Sequence, residues 1–303
     1  MRANNRQVEL ADFRGTVCVA ALSRAFSSNV LAELVKSGFS KTLATVLGDA
    51  GMTSHVNMTD DLGSCFDLFY TQIKDSYRNE YVYKNTIANK ILLGRHSLNT
   101  AAMHTEFRVS ESKADVLVVN GTSHIYEIKT ELDGLDRLEK QLEDYRHFAE
   151  YVSIVTSDNH IEKLLKIIDP SIGVLLLTNR QTLKVIRPAV SDRSILSPSI
   201  MFDSLRKSEY SEIIKSEMGF IPEVPNTLMY RECKEIFERI NIEKCHNYMV
   251  SILKKRDADD FNKNFIRRVP VSLKALAASS KFTKSQKKTL LSVMDKSIGD
   301  CLH

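Results

Sequence analysis

Through the middle of the chain, short apolar runs of strand length are separated by turns or by stretches of helical periodicity. Candidate strands fall at 104–109, 115–119, 124–130, 151–156, 172–177 and 182–187. The first three lie close together, as antiparallel hairpins require. After residue 130 strands alternate with helical stretches at 132–150 and 159–168, which implies parallel pairing. The expected fold class is therefore α/β, a mixed sheet flanked by helices. Within the 132–150 stretch Leu135, Leu138, Leu142 and Phe148 keep helical spacing, Asp133 is placed to cap the first turn, and Arg137, Gln141 and Tyr145 share one polar stripe.

Both ends read as helical. In residues 1–76, Ala- and Leu-rich segments precede Ser40, which is placed to cap a helix that Gly51 ends; an accessory bundle and a helix-turn-helix both fit. A helix over 79–93 carries Glu80 at its first turn and Tyr83, Ile87 and Ile91 along one apolar face, with Gly94 to close it. Beyond Pro188 the pattern turns helical again, broken at Pro222 and Pro225. These readings divide the chain into a helical region at 1–76, a core at 77–190 and a helical region at 191–303.

The chemistry lies in two adjacent strands. In the run His124-Ile125-Tyr126-Glu127-Ile128-Lys129-Thr130, alternation sets Glu127 and Lys129 on one face with Ile125, and Tyr126 and Ile128 on the other. Asp115 heads the preceding strand. Two carboxylates converging from neighbouring strands suit a hard divalent cation such as Mg2+, or Mn2+, while a lysine beside them supplies positive charge where a phosphoryl group becomes more negative. Asp115 and Glu127 are thus candidate metal ligands and Lys129 a candidate charge stabiliser. An amphipathic edge strand with a solvated Glu/Lys face would show the same triplet.

Register decides whether the acids meet. A two-residue turn at Asn120-Gly121 would pair Asp115 with Tyr126 and send Glu127 to the opposite face. A three-residue connection through Thr122 pairs 119 with 123 and sets Asp115 opposite Glu127. The three-residue connection is the expectation. His104, Glu106 and Arg108 alternate on one face of the strand before; substrate binding is one reading for them, and placement in the core or on the surface is the reading preferred for each.

Asp115, Glu127-x-Lys129 and Gln141-x-x-x-Tyr145 together resemble the PD-(D/E)XK nuclease superfamily, with the Gln-x-x-x-Tyr element similar to its RecB-like branch. The stretch Tyr77-Arg78-Asn79-Glu80-Tyr81-Val82-Tyr83-Lys84-Asn85 and the spacing from Glu127 to Tyr145 resemble a largely uncharacterised bacterial group within it. The resemblance covers roughly residues 77–256 and is strongest over 77–157. It implies a restriction-endonuclease-like core, metal contacts from Glu80, Asp115 and Glu127, a catalytic Lys129, and an active-site helix pair in Gln141 and Tyr145. Ala114 stands where the superfamily usually has proline, which removes no chemical group.

Composition and charge fit that picture. At 303 residues, 43% hydrophobic and 26% charged, usage is that of an ordinary globular chain. Five cysteines without a CxxC pair argue against a zinc ribbon or a disulfide framework. The first fifteen residues lack a continuous apolar segment and no run of membrane-spanning length occurs, so a cytoplasmic protein without a membrane partner is expected. Formal net charge is +4, yet residues 254–288 carry eleven Lys/Arg against three Asp. Arg137 and, in that basic segment, Lys254, Lys255, Arg256, Arg267 and Arg268 are candidate contacts to nucleic-acid phosphates. The expected activity is metal-dependent phosphodiester hydrolysis with DNA as partner. The alternatives are an inactive nucleic-acid-binding or regulatory protein on the same fold, and cleavage of RNA or tRNA.

Overall fold

The computed structural model describes residues 17–256 and 258–302. The first fifteen residues, with their lack of an apolar segment, and Asp257 of the basic segment lie outside them. Six strands form one sheet in sequence order: β1 (Ala102–Val109), β2 (Ser112–Val119), β3 (Ser123–Lys129), β4 (Tyr151–Thr156), β5 (Gly173–Leu177) and β6 (Leu183–Arg187). β1, β2 and β3 pair antiparallel, β3, β4 and β5 pair parallel, and β6 closes the edge antiparallel to β5. The fold is mixed α/β, with helices on both faces of the sheet.

Those two faces explain the apolar runs. Gly173–Leu177 is buried at every position because a strand covered on both sides has no solvent face to keep polar. On one face Val116, Val118, Tyr126, Ile128, Leu175 and Leu177 pack with the amino-terminal helices and with Phe265, Leu290 and Ile298 from the carboxy-terminal end. On the other, Leu117, Val119, Ile125, Ile154 and Val174 pack with Leu142, Phe202, Ile214, Phe237 and Leu253. The carboxy-terminal helices thus divide between both layers. Among the described residues no helix is long and apolar enough to cross a membrane.

The hairpin follows the three-residue connection. Val119 pairs with Ser123 and Val116 with Tyr126, the Asn120 amide donates to the Thr122 carbonyl at 2.9 Å, and Gly121 takes φ +69°. A β-carbon would strain that left-handed residue, so glycine fits it. Ser40 also caps as expected, its hydroxyl accepting from the Leu43 amide at 3.0 Å. The helix it starts, Lys41–Asp49, buries Leu43, Val46 and Leu47 in the amino-terminal bundle.

Three local expectations are corrected. The helix expected over 132–150 is confined to Leu138–Arg146. Asp133 does not cap it; its carboxylate accepts from the amide and hydroxyl of Thr130, each at 2.7 Å, and so builds a turn instead. The helix starting at Glu80 is α-helical only to Ile87, then continues as a π-helix over Ala88–Arg95 past Gly94. Finally, Glu106 sits at φ +53° and breaks the alternation of β1. His104 turns to the Leu253 carbonyl at 3.0 Å and Arg108 to the Ser110 carbonyl at 3.3 Å, while Glu106 alone reaches the acidic group around Asp115.

Candidate active site

Asp115 and Glu127 meet because β2 and β3 part at the right place. The ladder runs from Val119–Ser123 to Val116–Tyr126, and the next position in that register sets Asp115 across from Glu127. There the Asp115 carboxylate itself accepts the Ile128 amide at 2.7 Å. A side chain thereby satisfies a backbone donor and is pinned in place by it.

Glu127 is only 2% exposed and Lys129 9%. Lys129 Nζ donates to Glu127 Oε1 at 2.9 Å and to Gln141 Oε1 at 3.0 Å, and the Tyr145 hydroxyl donates to Glu127 Oε2 at 2.9 Å. Gln141 and Tyr145 lie one helical turn apart on Leu138–Arg146, so one short helix supplies both. Arg137, expected on the same stripe, is the exposed N-cap residue of that helix. Burial pushes the Glu127 carboxyl up, against the pull of the Lys129 ammonium. The Tyr145 hydroxyl is raised by its burial and by the Glu127 charge, so it remains a donor.

Glu80, Glu106 and Asp115 form a second layer, with one carboxylate oxygen of each lying within 4.8 Å of the others. Glu127, expected to share an ion with Asp115 directly, is not in that group. Its oxygens are taken by Lys129 and Tyr145. Burial and then the neighbouring Glu127 charge push the Asp115 carboxyl up to about 8, against the pull of the Ile128 amide and the Lys84 ammonium.

Part of the countercharge comes from two lysines. Lys84, four residues after Glu80, pairs with both Glu80 and Glu106, and Lys113 also pairs with Glu106. Burial disfavours the Lys84 ammonium, but the Glu106 and Glu80 carboxylates outweigh it and raise its pKa. Burial likewise opposes the Glu106 charge, and Lys113 and Lys84 overcome it to hold that carboxyl low. Sequence reasoning missed Lys84 as a partner of the acids and Glu106 as a metal candidate. The i, i+4 spacing of Glu80 and Lys84 was visible; the left-handed turn of Glu106 was not.

The basic segment is not a free tail. Lys274 is buried and donates to the carbonyls of Ile266, Arg267 and Val269, and buried Lys287 donates to Asn262. Arg256 is paired with Glu209, and Lys255 with Glu212 at 3.0 Å. Lys254 is half-buried. Arg267 and Arg268 are exposed. Between β1 and these carboxy-terminal helices lies a cleft of about 540 Å3 that Arg108, Arg206, Arg256 and Lys281 line together with Glu106.

The sequence pattern of the family described as "Bacteriophage P4 protein cII" matches residues 73–280, a stretch that contains every candidate site residue. Protein cII of Enterobacteria phage P4 is 25% identical over 177 residues, which are 56% of this chain and 65% of that protein. The chain thus spans just under two thirds of that relative's length. Among solved structures, the SPO1766 protein of unknown function from Silicibacter pomeroyi is 12% identical over 39% of this chain and 80% of its own, with a TM-score of 0.27, at which no shared fold follows. With more than half of its length matched, the chain belongs to the bacteriophage P4 protein cII family.

Proposed function

We propose that this protein is a metal-dependent nuclease that hydrolyses phosphodiester bonds in DNA. The observation that carries the reading is the network in which Glu127 and Lys129 are fixed by Gln141 and Tyr145, with Asp115 set opposite by the hairpin register. Together with the resemblance to PD-(D/E)XK nucleases, that network joins residues from two strands and a helix into one charged site.

The donor chemistry of Glu80, Glu106 and Asp115 fits Mg2+ or Mn2+. All three offer carboxylate oxygens, and the raised Asp115 carboxyl marks a place where a cation would relieve repulsion. When bound, such an ion polarises a phosphoryl oxygen and acidifies a water. Glu127 orients Lys129 through their 2.9 Å contact, and the Gln141 carbonyl oxygen holds the same ammonium from the helix side. That ammonium is thereby presented to a phosphate that gains negative charge during hydrolysis. Arg108, Arg206 and Lys281 along the neighbouring cleft are suited to hold the strand's other phosphates.

A second reading, nucleic-acid binding without cleavage, has one observation in its favour. Lys84 already neutralises Glu80 and Glu106. The deciding experiment offers plasmid, linear DNA and RNA to wild type and Lys129→Ala, with and without Mg2+. Cleavage of DNA by wild type only with metal, reduced by about 100-fold or more in Lys129→Ala, is expected. Equal cleavage by both proteins would sink the assignment, metal-independent binding without cleavage would favour the second reading, and preferential cleavage of RNA would move the substrate.

A further inference from the structure

The helix that begins at Glu80 has a second end, and a different kind of site lies there. Its π-helical turns finish at Arg95 and His96, closed by a bond from the His96 amide to the Ile91 carbonyl at 3.0 Å. Helices of this wide form are costly and recur at functional sites. Arg95 and His96 stand at the mouth of a pocket of about 280 Å3 whose floor is Val118, Tyr126 and Leu175, on the sheet face that this helix covers.

Polar side chains set into an otherwise apolar lining are fixed by hydrogen bonds. His124 Nε2 meets the Ser153 hydroxyl at 2.8 Å, His124 Nδ1 meets the Tyr126 hydroxyl at 3.1 Å, and the His124 and Tyr126 rings stack with centroids 4.1 Å apart. The Asn120 side-chain amide donates to His96 Nδ1 at 2.7 Å. A neutral His96 with Nδ1 accepting carries its proton on Nε2, a further donor beside the Arg95 guanidinium. Tyr151 and the exposed Val185 add a ring and an apolar edge.

Charge gives the pocket its sign. Among the described residues none that lines it is acidic. Arg187 is tied to the carbonyls of Ile172 and Asp169, at 2.9 and 3.0 Å, neither of which is a countercharge. Arg95 is exposed and pairs with no acid among the described residues. Burial and then the Arg95 charge hold His124 down at about 3, so that ring stays neutral and the guanidinium groups supply the field.

We propose that this pocket binds a small anion carrying a flat ring, a compound of the nucleoside monophosphate or aromatic carboxylate class, with the anionic group at Arg95 and His96 and the ring over the apolar floor. A volume just under the usual range of about 300–1,000 Å3 for ligand sites suits a small ligand better than a polymer. The site shares no residue with the acidic group and stands or falls apart from the nuclease reading.

Calorimetric titration of the full chain in EDTA, which keeps divalent ions from the acidic site, tests it. The probes are adenosine and uridine monophosphates, benzoate, adenosine and inorganic phosphate. Saturable binding of a nucleotide or of benzoate is expected, weaker by about tenfold or more for adenosine and for phosphate alone, because each lacks one half of the recognition. Arg95→Gln should weaken it by a similar factor, and Val185→Asp, which sets a carboxylate at an exposed edge of the pocket, should do so with Arg95 intact. No saturable binding of nucleotide or benzoate would overturn the proposal. Binding that both variants leave unchanged would overturn it equally.

Discussion

β3 and the helix starting at Glu80 each carry opposite chemistry at their two ends. At one end Glu127 and Lys129 face Asp115, with Glu80 and Glu106 nearby, and carboxylates outnumber their countercharges. At the other end His124 faces His96 and Arg95, and among the described residues no acid lines the pocket. Both ends are built from the same pair of elements, so the difference lies in what each neighbour adds. Burial and then the Glu127 charge raise the Asp115 carboxyl, and the acids gathered there favour a cation; guanidinium charge that is unpaired among the described residues, over an apolar floor, favours an anion. One scaffold thus presents two electrostatic signs without a change of fold.

The largest expected effect separates the two ends by activity. Glu127→Ala should lower Mg2+-dependent DNA cleavage by about 100-fold or more, whereas Arg95→Gln should leave it near wild type. Rates on linear DNA for both variants check this, and a comparable loss in Arg95→Gln would show that the ends are not independent. Next in size is the response to metal. Lys84→Met removes the ammonium that neutralises Glu80 and Glu106, so Mg2+ should raise Tm at lower concentration than in wild type, by about 3–10-fold. A thermal-shift titration reads this, and an unchanged midpoint would mean that Lys84 does not compete with the ion.

A smaller effect concerns pH. Asp115 is held at about 8 in the folded protein, above its ordinary value of 3.8. Its contribution to metal-free stability is therefore full below 3.8 and is lost as pH rises through about 8, because the unfolded chain releases the proton first. Asp115→Asn should flatten that decline and be more stable than wild type at pH 8.5, by on the order of 1 kcal/mol, in EDTA. Chemical denaturation at pH 5, 7 and 8.5 provides the measurement. Parallel profiles would show that the carboxyl is not perturbed.

The smallest effect tests the basic segment. Removing residues 254–303 would destroy core positions such as Phe265 and Leu290, so point changes are the cleaner probe. Arg267→Ala with Arg268→Ala should reduce the slope of log affinity against log salt by about 1 for each phosphate that is no longer neutralised, with little effect on Tm. An intact slope would confine these arginines to solvent.

The sequence by itself determined much of the site. Alternation in His124–Thr130 separated Glu127 and Lys129 from Tyr126 and Ile128, and the three-residue connection Asn120-Gly121-Thr122, expected because only that register brings the acids together, sets Asp115 against Glu127. The first is fixed by the two-residue period of a strand; the second turns on loop length, which Asn-Gly by itself leaves open between two residues and three. The spacing of Gln141 and Tyr145 belongs with the first, since helical period alone brings both to one side. Asp133 was misread because a carboxylate near a helix start can equally bond back to a preceding turn, and the local pattern does not distinguish the two.

Only the tertiary structure decided which charges are free. Lys274 and Lys287 count as surface charge in a sequence but are buried donors to carbonyl and amide oxygens. Glu106 joins Glu80 and Asp115 through a left-handed backbone that no period announces. Arg95, His96 and His124 come from two elements about thirty residues apart and meet only when helix and sheet pack. Charge and hydrogen-bond partners are properties of neighbours in space, and the chain fixes those only by folding.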